Sequence, residues 1–427
     1  MAHEATIFAV SSGAAPAAIG VVRVSGPDAA GALQTLTGRS FTPRRASLAK
    51  LRDISGVLLD QALVLWFPGP NTATGEDLAE LHCHGGRAVL AAIELALSEI
   101  AGLRSAEPGE FTRRAFANGR IDLAEAEGLA DLLSAETELQ RASAIANASG
   151  AMSGAVEAWR RELLRLSAQV EAALDFSDED DVTDLPEGFT RNIDQLVEEL
   201  HTWLSRPRSE KLGEGYRVVL AGPPNSGKST LFNVLTESEA AITSPIAGTT
   251  RDVIERSVAV GGVPFTFVDT AGLRESEADS IEAIGIDRAR DQLDRGDVVL
   301  WLGDEGSGPD DVWEVSARCD APDFAEKRHA KAVVSAVTGE GIEDLKAALI
   351  GTARGALPKP GEAALNARQH ARVEEAVEAL RSAQSQSDLL LVGEELRRAR
   401  VAFDRLIGRA TTEDMLDALF GRFCIGK

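Results

Sequence analysis

Gly222-Pro223-Pro224-Asn225-Ser226-Gly227-Lys228-Ser229 follows a short apolar run, Arg217 to Ala221, and precedes a helical pattern. The octet has the form G-x-x-x-x-G-K-[ST], and its place between strand and helix is the one a phosphate loop requires. Its glycines let backbone N–H groups wrap phosphates, the helix N-terminus adds partial positive charge, Lys228 reaches the terminal phosphates and Ser229 ligates Mg²⁺. Further short strands, Pro264 to Val268, Asp297 to Leu302 and Ala332 to Ser335, alternate with helical stretches. Residues 213–355 therefore predict an α/β domain with a doubly wound, mostly parallel sheet.

Two companions follow the loop. Asp269-Thr270-Ala271-Gly272 ends a strand, with Asp269 suited to hold Mg²⁺ through water and the Gly272 N–H facing the terminal phosphate. Gly248-Thr249-Thr250-Arg251-Asp252 lies between, and Thr250 offers a second hydroxyl to Mg²⁺. Three such elements in order predict a nucleotide-hydrolysing switch. Guanine-specific sites present Asn-Lys-x-Asp after a strand; here the positions are Ala317-Arg318-Cys319-Asp320. Asp320 keeps the contact to the guanine ring and amino protons, Arg318 can lay its stem along the base, and Ala317 forfeits one hydrogen bond worth about 1 kcal/mol. Ser335 and Ala336 complete the base side, so GTP is expected over ATP. Leu273 stands where many switches place a water-orienting Gln and cannot activate water, which leaves Glu282 as the favoured carboxylate. No arginine finger is evident, and Asn225 points to a monovalent cation in its place.

Around this domain the chain is acidic. It has 427 residues, 44% hydrophobic and 26% charged, enough for about three packed domains and too apolar for wholesale disorder. Its net charge of −23 repels phosphate backbones, so an RNA substrate would need another holder, with local basic patches left open. Aromatics at 5% argue against a base-stacking platform. Cys83, Cys319 and Cys424 are few and scattered, which fits a reducing compartment. No apolar run is long enough to span a bilayer, and Ile7 to Val24 is broken by Gly13, Pro16 and Gly20, so a cytoplasmic protein with no membrane role is expected.

The flanks set the domain plan. Residues 1–118 mix β-rich runs, Ile19 to Val24 and Ala62 to Phe67, with a helical stretch from Arg87 to Ile100. Residues 119–212 are helical, with stripes Leu163, Leu166, Val170, Leu174 and Ile193, Leu196, Val197, Leu200, Leu204. Residues 356–427 return to helix, with Leu396, Phe403 and Leu406 or Ile407 as core positions. The economical arrangement packs the two helical segments into one domain and inserts the sheet domain between them. The acidic stretch Asp175 to Asp181 is a solvated turn, or else a metal or partner site. His82-Cys83-His84 could bind metal, but strand alternation sends Cys83 to the face opposite the histidines.

Certain motifs resemble one family along the whole chain, the MnmE/TrmE tRNA-modification GTPases. They are Gly75-Glu76-Asp77 with Glu80 and His84-Gly85-Gly86, Pro108-Gly109-Glu110-Phe111-Thr112-Arg113-Arg114-Ala115-Phe116, Asn118-Gly119-Arg120-Ile121-Asp122-Leu123, and Cys424-Ile425-Gly426-Lys427. The resemblance implies a homodimer built through N-terminal folate-binding α+β domains, a helical domain from two segments, and an inserted P-loop GTPase domain. An FAD-dependent partner, forming a heterotetramer or larger complex, is implied, as is tRNA bound mainly through that complex. The implied product carries an aminomethyl or carboxymethylaminomethyl group on C5 of the wobble uridine, with methylene- or formyl-tetrahydrofolate as carbon donor.

By motif matching, Arg23, Glu80, Arg120 and Lys427 fall where the family contacts folate. Arg120 stands where lysine is common. Asn225, Ser244, Ile246 and Thr249 fall at its K⁺ site, Ser229 and Thr250 at Mg²⁺, and Glu282 at its water-orienting glutamate. The implied nucleotide contacts are Asn225, Ser226, Gly227, Lys228, Ser229, Thr230, Ser244, Pro245, Ile246, Ala247, Gly248, Thr249, Thr250, Asp269, Thr270, Ala271, Gly272, Asp320, Ser335 and Ala336. Cys424 is either a chemical thiol or a core thiol near a helix end. The competing expectations are a complex-assembly GTPase whose N-terminal domain only dimerises, and a folate-dependent methyltransferase without productive nucleotide turnover.

Overall fold

The computed structural model describes residues 5–175, 185–237, 240–241, 254–270, 291–410 and 412–427. Packing divides the chain into two compact units, 1–130 with 404–427, and 131–403. The module bounds at 118, 212 and 355 follow composition and are retained as proposed.

The first unit is built on six strands, β1 Thr6–Val10, β2 Ile19–Ser25, β3 Ser47–Arg52, β4 Leu58–Phe67, β5 Leu78–His84 and β6 Leu103–Ser105, in the order β3-β4-β5-β2-β1-β6. Only β1 and β6 run parallel. Period-two alternation decides the faces. In β5, Leu81 and Cys83 enter the core while Glu80 and His82 lie on the opposite face. Burial pushes the Cys83 thiol up to about 12, with the Asp60 charge adding to it, so this cysteine is an inert core residue. Helix Arg87–Ser98 lays Leu90, Ile93, Ala96 and Leu97 on the sheet at three- and four-residue steps.

The C-terminal segment belongs to the same unit. Helix Glu413–Phe420 brings Leu416 and Phe420, with Phe423 beyond it, against Leu123 and Ala126, and the Phe116 and Phe420 rings lie 6.1 Å apart. Arg113 adds ion pairs to Glu413 and Asp417 at 2.5 and 2.7 Å. Beneath them sits a buried ionic cluster. Fully buried Arg114 donates to Glu110 at 2.9 Å, to Glu76 at 3.0 Å and to the Ala5 carbonyl at 3.0 Å, and Arg104 chelates Glu110 from the rim. Burial alone would raise the Glu110 carboxyl, but hydrogen bonds from Arg104, the Glu107 N–H and Arg114 outweigh it and hold it at about 2.

The second unit combines helices with a seven-stranded sheet. Its strands are β7 Tyr216–Ala221, β8 Ala240–Ala241, β9 Ile254–Val260, β10 Val263–Asp269, β11 Val298–Trp301, β12 Trp313–Ala317 and β13 Ala332–Val334, in the order β13-β12-β11-β7-β10-β9-β8. Strands β13 to β10 are parallel; β9 and β8 form an antiparallel edge. Phe265 stacks on Phe267 and meets Tyr216 edge-on, and each such side chain contributes about 2–3 kcal/mol by burial. Parts of the two helical flanks meet within this unit. Trp159 of helix Ala151–Asp175 touches Trp203 of helix Phe189–Leu204 and Phe403 of helix Leu389–Leu406 with ring centroids 5.7 and 5.6 Å apart, and its indole donates to Glu199. Leu163, Leu166 and Val170 are buried as expected, and Leu174 yields the inner position to Ala173.

Helix Glu138–Ala148 ties the helices to the sheet. A reciprocal cap between Thr137 and Gln140 opens it, Leu139 enters the sheet core, and Gln140 donates to the Leu212 carbonyl. No helix among the described residues is long and apolar enough to cross a membrane. The acidic stretch beyond Asp175 lies outside the described residues.

Candidate functional site

Strand β7 sits centrally in its sheet, and the loop leaving it meets helix Lys228–Glu237 at the carboxyl ends of the parallel strands, the usual ligand position in such sheets. Gly222 has φ +148 and lies so close to the Gly303 amide and the Ser226 hydroxyl that a Cβ would come within 3.0 and 3.1 Å of them. Asn225 takes φ +62, which asparagine tolerates better than most residues. Lys228 is buried, with Nζ donating to the carbonyls of Gly222 and Pro223 at 3.1 and 2.8 Å, so the ammonium lies inside the loop. The Ser226 hydroxyl is buried with no hydrogen-bond partner among the described residues, and Ser229 and Thr230 are exposed on the first helical turn. Asp269 is buried at the end of β10, beside β7, and the Thr270 hydroxyl donates to the Leu220 carbonyl at 2.8 Å.

A cavity of about 1140 Å³ joins this loop to Ala317, Arg318, Asp320 and Ala336. Ser335 donates to Asp320 at 2.6 Å and receives the Val337 and Thr338 N–H groups, so it braces the carboxylate from below. Arg318 has φ +62, and its Cγ lies 3.4 Å from where a Gly227 Cβ would stand, which lays its stem along the phosphate loop. A nucleotide fits this set: loop amides and Lys228 for phosphates, Ser229 and Asp269 for a divalent cation, Asp320 and the Arg318 stem for a base. Trp301, Asp304 and Pro322 also line the cavity and were not anticipated. Trp301 was legible only as strand, because its role depends on Gly303 and Gly308 admitting the indole. Restoring the missing amide tests the base side: Ala317→Asn is expected to tighten guanine-nucleotide binding about fivefold in a titration, one added hydrogen bond.

Ser244, Pro245, Ile246, Ala247, Gly248, Thr249, Thr250, Ala271, Gly272, Leu273 and Glu282 lie outside the described residues.

In the first unit, Arg23 and Glu80 meet across β2 and β5 at 2.9 Å, with His82 3.3 Å from the other Glu80 oxygen and the Arg23 guanidinium 5.8 Å from the Phe111 ring centre. His84 pairs instead with Asp60, and no metal-binding group of His, Cys, Asp and Glu occurs among the described residues. The tail Cys424–Lys427 is pinned to the end of β1. Gly426 adopts φ +94, a Cβ there would meet the Val10 carbonyl at 2.1 Å, and Ser11 donates to the Gly426 carbonyl at 2.8 Å. Ile425 bridges Pro108, Cys424 is exposed, and Lys427 is half-buried. Arg120 is exposed on a separate loop beside Gly75. Arg23 and Glu80 are thus brought together, while Arg120 and Lys427 occupy other segments of the unit.

Two family models match the chain. "GTP-binding protein TrmE N-terminus" covers residues 6–120, and "MnmE helical domain" covers residues 123–424. Proteins named tRNA modification GTPase MnmE from Erythrobacter litoralis and Novosphingobium aromaticivorans are 63% and 60% identical, over 99% of this chain and 100% and 99% of theirs. The chain belongs to the MnmE family of tRNA modification GTPases. Among solved structures, the G domain of the T. maritima FeoB iron transporter is 27% identical, covering 32% of this chain and 98% of that one at a TM-score of 0.24. MnmE membership makes the chain a GTP hydrolase of tRNA modification.

Proposed function

We propose that this MnmE-family GTPase uses GTP hydrolysis to drive one-carbon chemistry on tRNA, adding an aminomethyl or carboxymethylaminomethyl group to C5 of the wobble uridine. The observation that carries this reading is the cavity linking the buried Lys228 loop to the braced Asp320, on a chain whose other unit holds the Arg23–Glu80 pair.

In this reading Ser229, Thr250 and Asp269 hold Mg²⁺. Asn225, Ser244, Ile246 and Thr249 hold a K⁺ ion that takes the place of an arginine finger, and Glu282 orients the attacking water. Arg23, Glu80, Arg120 and Lys427 receive a tetrahydrofolate derivative, which when bound supplies the carbon. The Glu80 carboxylate, steadied by Arg23 and His82, would accept a hydrogen bond from an N–H of the bound folate, and Arg120 and Lys427 would offer positive charge to its carboxylate tail. Cys424, exposed on its pinned tail, is the candidate nucleophilic thiol of the uridine chemistry. The protein works in the cytoplasm as a homodimer, with an FAD-dependent partner in a heterotetramer or larger complex.

Equilibrium binding of methylenetetrahydrofolate tests the folate part. The wild-type chain is expected to bind it, and Glu80→Gln to bind at least about tenfold more weakly, the loss of a charge-assisted hydrogen bond. Failure of the wild-type chain to bind would remove one-carbon chemistry from the account. Hydrolysis is also expected to be faster in potassium than in sodium, and equal rates would remove the K⁺ assignment.

A further inference from the structure

The chain is strongly acidic, yet from Ala29 to Arg52 it carries no carboxylate and five cations, Arg39, Arg44, Arg45, Lys50 and Arg52. All five are exposed, and among the described residues none is paired with a carboxylate. Helical arginines elsewhere behave differently: Arg141, Arg165, Arg397 and Arg398 each close on a glutamate three residues away. Arg39, Arg44, Lys50 and Arg52 also lie along one sheet edge. Strand β3 is the sheet edge, and its alternation buries Ala49 and Leu51 while turning Lys50 and Arg52 outward. Arg39 reaches the Leu48 carbonyl on the same edge, and the Arg44 backbone bonds to Trp66 at the end of the neighbouring β4.

Three of the guanidiniums are oriented. Arg39 stands over Phe41 and Arg44 beside Phe67, at 4.9 and 5.7 Å from the ring centres, and Arg52 donates to the Gly56 carbonyl at 2.7 Å. Four of the five are arginines, whose planar fork matches two phosphate oxygens at once.

We propose that this edge of the N-terminal sheet is a docking surface for the phosphate backbone of tRNA. The partner class follows from chemistry and family: a row of arginines with no carboxylate partner, two of them backed by aromatic rings, recognises phosphates, and the family modifies tRNA. The proposal rests on the tRNA part of the function above and adds a contact surface within this chain. It also resolves a physical difficulty, because a chain of net charge −23 gains little from bulk electrostatics and needs a local cation cluster to hold RNA.

The test measures binding of the full chain to fluorescently labelled tRNA by anisotropy across a salt series, beside the triple variant Arg44→Gln/Arg45→Gln/Lys50→Gln. The variant is expected to bind on the order of tenfold more weakly, with a log–log salt dependence shallower by about 2 to 3. Arg44→Lys/Arg45→Lys is expected to keep the salt slope. GTP hydrolysis and circular dichroism should match the wild type, separating loss of contact from loss of fold. An unchanged affinity and slope would overturn the proposal while leaving the tRNA reading intact. So would a variant that loses binding to phosphatidylserine vesicles but keeps binding tRNA, which would assign the patch to a membrane surface. A wild-type chain that does not bind tRNA also overturns it, and the function is then judged separately by wobble-nucleoside analysis in cells.

Discussion

Lys228→Ala is expected to lower GTP hydrolysis by at least about a hundredfold, the scale of removing one preorganised charge from a phosphoryl-transfer site. The Nζ already lies inside the loop, donating to the Gly222 and Pro223 carbonyls, so little side-chain ordering remains to be done when phosphates arrive. The cavity wall formed by Asp320, Ser335 and Arg318 is untouched by this substitution. Base recognition should therefore outlast catalysis, and a nucleotide titration beside a turnover assay separates the two. Hydrolysis within a few-fold of wild type would show that the loop is not the hydrolytic site.

Arg114→Met is expected to destabilise the first unit by about 3 kcal/mol, because it takes the shared buried cation from Glu76 and Glu110 and leaves Glu76 with no cationic partner among the described residues, while Arg104 still holds Glu110. The cost should be visible as a fall in the denaturation midpoint of that unit, and a change below about 1 kcal/mol would contradict the buried-cluster account. The same cluster fixes an acid dependence. The Glu110 carboxyl is depressed from 4.5 to about 2, so its contribution of about 3 kcal/mol is fully present above pH 4.5 and is lost as pH falls through about 2. Wild-type stability should fall over that window, and the Arg114→Met variant should lose less there because it has less to lose.

The phosphate loop was legible because local chain geometry imposes it: a strand, a glycine-rich turn and a helix must follow one another whatever surrounds them. Strands β7, β10, β11 and β13 were legible for a related reason, as short apolar runs, with β7 and β10 buried along nearly their whole length. Strand β12 escaped notice because Trp313-Glu314-Val315-Ser316-Ala317 is half polar, and β9 because Ile254, Glu255 and Arg256 leave it exposed at its start. Neither is distinguishable from loop without the partner strand. Antiparallel β9 also shows that the sheet is mostly, not wholly, parallel.

Long-range placement was the least legible. Glu110 and Arg114 belong to a motif that reads from sequence only as a mark of the family, and both are buried in an ion cluster whose partners, Glu76 and Arg104, come from other segments. Within the first unit, the path of the Cys424–Lys427 tail depends on Gly426 passing close over Val10, a contact between distant segments that periodicity cannot encode. Arg23 and Glu80 were named only through family resemblance, and their meeting is a matter of β2–β5 register. A one-residue slip would have turned Glu80 to the opposite face.

In the proposed mechanism, nucleotide hydrolysis in one unit drives chemistry on the wobble uridine through the rest of the chain. Mass spectrometry of wobble nucleosides from cells lacking the protein tests it most directly. Cells without it, and those complemented with Lys228→Ala, should lack the C5 aminomethyl-type modification, and the wild-type chain should restore it. Full modification in cells without the protein, with no second enzyme to supply it, would contradict the account.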